Sequence, residues 1–146
     1  MTMTNGIHRP AWVPVSGHRL RVAGVHFDAV RIEGRWGEAV ADWLIERGDG
    51  DAGPIVCAGG SGARWVYFLL APGVVHRHHW PLGVQYFGRR ADRSVTYVGV
   101  PALEGETWPL RWYSEPTPTA PYVDAEALLA ATSPDGSPAV RRSPRP

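Results

Sequence analysis

The chain has 146 residues, enough for one domain with its own core and little room for a second. Hydrophobic residues make up 44% and charged residues 20%, a globular balance, and a formal net charge of +1 excludes a surface given over wholly to an acidic polymer. Every basic residue other than histidine is arginine, which excludes Schiff-base lysines and a lysine-bearing phosphate loop. Cys57 is single, so neither an intramolecular disulfide nor a multi-cysteine zinc site can form. No basic-then-apolar leader opens the sequence and no apolar run approaches roughly 18 residues. The expectation is a cytoplasmic protein without a membrane partner.

Residues 1–10 lack periodicity and read as a flexible arm. Trp12 to Val15 forms an extended piece that Pro14 restricts to an edge strand at most. Alternation over Leu20-Arg21-Val22 breaks phase at Ala23-Gly24 and resumes through Val25, Phe27 and Ala29, as in one strand bulged or bent at Gly24. Trp36, Ala39, Val40, Trp43 and Leu44 recur at helical spacing and predict a helix over 35–47. Strands are expected at 55–58 and 64–70, joined as a hairpin by Gly59-Gly60-Ser61-Gly62.

Two further strands are expected at 83–88 and 95–100, linked by a polar turn over 89–94, and another at 108–113. Asp124 is positioned to cap a short helix holding Leu128 and Leu129. The Ser-, Pro-, Gly- and Arg-rich tail predicts disorder over 133–146. One domain over 11–132 results. Its class is α+β, a mostly antiparallel sheet with one main amphipathic helix and a short C-terminal one.

The order of pieces resembles the N-terminal domain of bifunctional DNA primase/polymerases, in the archaeo-eukaryotic primase group, and in particular its short actinobacterial form. The residues that carry the resemblance are Phe27-Asp28-Ala29-Val30, Gly53-Pro54-Ile55-Val56, the stretch 59–70 and Pro72-Gly73. They continue in Gly83-Val84-Gln85-Tyr86-Phe87-Gly88, Tyr97-Val98-Gly99-Val100-Pro101 and Leu110-Arg111-Trp112. The resemblance implies an Asp-x-Asp pair on the first strand, whose carboxylates share divalent ions that position a nucleoside triphosphate. Here Asp28 fills the first position and Val30 the second. The histidine expected after the Gly-rich loop is replaced by Trp65, and the acidic residue expected after Gly83-Val84 by Gln85.

The resemblance therefore implies a degenerate domain without catalytic residues, binding nucleotide or nucleic acid through Asp28, Ser61, Gly62, Arg64, Trp65, Arg89 and Arg90. No cofactor is expected, with Mg²⁺ or Mn²⁺ entering only where nucleotide binding is retained. The alternative is an accessory protein in which the fold serves a protein partner, and the third reading is a working primase/polymerase.

Two local signals stay open. The loop over 59–62 suits a plain hairpin turn or an anion nest, and Trp65 beside it suits base stacking or core filling. Seven tryptophans and five tyrosines suit single-stranded nucleic acid if exposed beside Arg64, Arg89, Arg90 and Arg111, and packing if buried. On an extended segment His76 and His78 would share a face, a spacing compatible with a transition metal, but neither cysteine nor carboxylate completes a set with them and His79. His26 reads as structural, and neither Ser16 nor Ser61 suggests a triad.

Overall fold

The structure is a computed structural model, describing residues 9–59 and 64–133. Its elements in chain order are β1 (His18–Val22), β2 (Asp28–Glu33), α1 (Gly34–Arg47), β3 (Ile55–Ala58), β4 (Trp65–Leu70), a 3-10 turn (Val74–Arg77), β5 (Gln85–Phe87), β6 (Tyr97–Pro101), β7 (Leu110–Ser114) and α2 (Ala125–Thr132). All strand pairing is antiparallel. Five strands run in the order β5-β2-β4-β3-β7, and β1 pairs with β6 in a separate two-stranded sheet. The fold is α+β, as the sequence pattern predicts.

Alternation along the central strands divides the core in two. Val30 and Ile32 of β2, with Val66, Phe68 and Leu70 of β4, point to one face and pack under both helices. α1 contributes Val40, Ala41 and Leu44 to that core, spaced as one helical face. Gly37 lies on the same face, and a Cβ there would come within 2.6 Å of the Ile32 carbonyl and 2.9 Å of Val66. Glycine thus sets how close α1 lies to the sheet. Asp124 caps α2 by accepting from the Ala127 N–H at 3.1 Å, the predicted cap.

Ala29, Val56 and Leu69 point to the opposite face and pack with Trp12, Phe27, Val98 and Val100 in the second core. The two-stranded sheet and the segment around Trp12 therefore cover part of that face.

Three sequence expectations are corrected. Trp12 to Val15 forms no strand; Trp12 and Val13 are buried in a turn segment. The strand expected to bend at Gly24 is two strands in different sheets, because Gly24 has φ +96° and its N–H donates to the Phe27 carbonyl in a tight reversal. A Cβ at Gly24 would lie 2.4 Å from the Arg89 nitrogen, so the reversal is wedged against the chain after β5. Likewise β5 and β6 are not partners: β5 is an edge of the larger sheet and β6 belongs with β1. The arm over 1–8 and the tail over 134–146 lie outside the described residues.

Candidate functional site

Strand register brings residues distant in sequence into rows on the sheet face opposite the helices. Arg31 on β2 stands opposite Gln85 on β5 and Tyr67 on β4, and Tyr67 in turn stands opposite Val56. The adjoining row places Glu33 opposite Trp65, and Trp65 opposite Ala58. Val56 lies under the two-stranded sheet, whereas Arg31, Trp65 and Tyr67 are half-buried and Gln85 is exposed. That half of the face is partly open, with Tyr67 and Phe87 packed against the edge of the second core and Gln85 exposed.

Arg31 is its centre. Its guanidinium carbon lies 4.2 Å from the Trp65 ring centroid and 5.3 Å from that of Phe87, a cation held over aromatic rings. Nε donates to Gln85 Oε1 at 2.7 Å, and Nη2 donates to the same oxygen. Nη1 donates more weakly to the Tyr67 hydroxyl at 3.5 Å. Gln85 and Tyr67 are neutral, and among the described residues no carboxylate pairs with Arg31.

Trp65 and Gln85, the positions at which the family resemblance implies a histidine and an acid, thus converge on one guanidinium across 20 residues of sequence. Arg31 and Tyr67, the residues that join them, were not among the sequence candidates. Counting alternate residues from Asp28 leads to Val30 and away from Arg31. The signal that could have found Arg31 is its cross-strand register with Gln85.

Asp28 is not on this surface. It is fully buried at the start of β2, on the side of Val30 rather than Arg31. Its Oδ2 accepts from the Val75 N–H at 3.1 Å, while Oδ1 has no partner. Burial raises its pKa above the ordinary 3.8, and the N–H of Val75 and a charged His76 oppose that only in part. Gly88 admits both side chains: a Cβ there would lie 3.0 Å from His76 Nε2 and 3.1 Å from Asp28 Oδ1.

The histidine segment differs from its extended reading. His76 belongs to the 3-10 turn, and its Nε2–H donates to the Arg89 carbonyl at 2.9 Å, fixing the tautomer. His78 packs its ring edge against Trp80, and His79 is exposed. The carboxylate that sequence did not place near the histidines is Asp28, beside His76. Among the described residues no group of three or more histidine, cysteine or acidic side chains could hold a metal ion.

Arg89 and Arg90 are exposed beyond β5, where they line a shallow groove of about 800 Å³ together with His76, Gln85, Phe87 and Asp92. Arg90 approaches Asp92 at 3.6 Å, and Asp92 also accepts from the Ser94 N–H and hydroxyl. Arg64 pairs with Glu38 of α1 at 3.1 Å, so its charge is already engaged. Ser61 and Gly62 lie outside the described residues. Of the seven tryptophans only Trp108, at 71%, is exposed; Trp36, Trp43, Trp80 and Trp112 are half-buried and Trp12 is buried. Packing accounts for most of them.

No protein-family model, curated protein or solved structure matches the chain. No helix among the described residues is long and apolar enough to cross a membrane.

Proposed function

We propose that this is a non-catalytic primase/polymerase-like domain that binds nucleotide or nucleic acid on the open half of its five-stranded sheet. The observation that supports this reading is the grouping of Trp65, Tyr67 and Phe87 around Arg31. Aromatic rings on a sheet surface supply stacking platforms for bases, and arginines beside them supply phosphate contacts. Arg89 and Arg90 extend the positive charge along the groove beyond β5.

Catalysis of the family type fits poorly. Asp28 is enclosed on the other face with Val30, and the open face offers a guanidinium where a divalent ion would need carboxylates. A labelled single-stranded oligonucleotide, followed by anisotropy across a salt series, tests the reading. Binding that weakens steeply with salt, without nucleotide incorporation in Mn²⁺, supports it. Incorporation would replace it with the polymerase reading.

One observation favours the second reading, a protein-interaction module. Leu20, Val25, Val95 and Tyr97, in and beside the two-stranded sheet, are all more than half exposed, at 65%, 52%, 55% and 57%. Apolar surface of this kind serves protein partners. No oligonucleotide binding at low salt would leave that reading standing.

A further inference from the structure

Arg31 carries a charge that no carboxylate among the described residues balances. A half-buried guanidinium ordinarily finds a carboxylate or loses part of its hydration without return. Here its partners are an amide oxygen, a phenol hydroxyl and two aromatic rings, none of them charged. A guanidinium carries five N–H donors. Nε–H and one on Nη2 go to Gln85 Oε1, and one on Nη1 goes to Tyr67, which leaves one N–H on each terminal nitrogen. Ring stacking and the Gln85 contacts hold the group in place, so an anion meeting it need not order it first.

We infer that Arg31 is an anion receptor for a polyphosphate chain and that it does the work of a metal ion at this site. The inference deepens the nucleotide-binding reading and rests on it for the choice of phosphate over carboxylate. Gln85 and Phe87, which contact Arg31, also line the groove beyond β5 that holds Arg89 and Arg90, so further arginines lie beyond the strand that Arg31 faces. A divalent ion has little place there. Glu33 is the one carboxylate in the adjoining row of β2, and the guanidinium repels a second cation. Polyphosphate binding at Arg31 is therefore independent of metal.

Calorimetric titration of the full chain tests this with two probes, inorganic tripolyphosphate and a nucleoside triphosphate, each in EDTA and in Mg²⁺. Both bind in EDTA, and Mg²⁺, by neutralising the phosphates, leaves the affinity unchanged or lowers it. Arg31→Gln weakens both probes about tenfold or more. Arg31→Lys, which keeps the charge and loses the planar fork, falls between. Should Arg31→Gln fail to fold, the lysine variant and the EDTA comparison carry the test. Binding that requires Mg²⁺, or full affinity in a folded Arg31→Gln, overturns the inference. Nucleotide binding that survives in Arg31→Gln keeps the general reading and removes Arg31 from it. Tripolyphosphate binding lost in Arg31→Gln, with nothing gained from the base, keeps Arg31 and removes the nucleotide. Silence from both probes overturns both.

Discussion

Arg31 lies over Trp65, 4.2 Å from guanidinium carbon to ring centroid, although the two residues are not register partners. Arg31 faces Tyr67 and Trp65 faces Glu33, so the contact is diagonal across the β2–β4 ladder. Both sit on the half of the sheet that the second sheet leaves open. The diagonal stack turns a mobile side chain into a fixed cation on a hydrophobic floor.

Gln85 keeps that cation uncompensated, since its amide oxygen accepts from Arg31 without contributing charge. Gln85→Glu supplies the missing carboxylate and converts the contact into an ion pair. Stability should rise by no more than about 1 kcal/mol, because the pair is exposed. Affinity for a nucleoside triphosphate should fall about tenfold, as the new charge competes for Arg31. Chemical denaturation and calorimetry on the same variant separate the two effects.

Arg89 and Arg90 are exposed, and the segment is tied to the fold through backbone, by the Arg89 carbonyl bonded to His76 and the close approach of Arg89 to Gly24. Replacing both with alanine should leave stability within about 0.5 kcal/mol of the parent. Oligonucleotide affinity should fall, and the slope of log affinity against log salt should shrink by roughly 1 to 2. Anisotropy titrations at several salt concentrations check this.

Asp28 carries a stability signature. Its pKa is raised above the ordinary 3.8, chiefly by burial, so the folded chain holds this proton more tightly than the unfolded one. Its contribution is therefore fully present below the ordinary carboxyl range and is lost as pH climbs through the raised value. Asp28→Asn keeps an oxygen for the Val75 N–H and removes the charge. Thermal melts should show the variant more stable than the parent by about 1 kcal/mol at about pH 7. That advantage should disappear near about pH 3.

Gly37 tests the packing of α1. Alanine is the better helix former by about 1 kcal/mol, but its Cβ would press on a backbone oxygen 2.6 Å away that cannot rotate aside. Gly37→Ala should destabilise the fold by about 1–3 kcal/mol, measured by urea denaturation. A stabilised variant would show that α1 can lift from the sheet at little cost.

The helix α1 and the β3–β4 pairing were legible in the sequence because each rests on local signals. Val40 and Leu44 repeat at helical spacing, and two apolar runs flank a short Gly-rich loop. The division into two sheets was not legible. β1 pairs with β6 across more than 70 residues, and no alternation in either strand announces such a partner. For the same reason the convergence of Trp65 and Gln85 on Arg31 was hidden, since it depends on the register of three strands. Asp28 misled because a strand's first residue does not declare which face its alternation serves. Only the packing of Ala29 with Phe27 and Leu69 reveals it.

The proposed function requires that ligand bind beside Trp65. A nucleoside triphosphate titration followed by tryptophan fluorescence, in the parent and in Trp65→Phe, tests it most directly. A saturable change in the parent should shrink or vanish in the variant, with affinity reduced because the indole that holds Arg31 is gone. An unchanged signal and affinity in Trp65→Phe, or a parent silent by fluorescence and calorimetry alike, would contradict it.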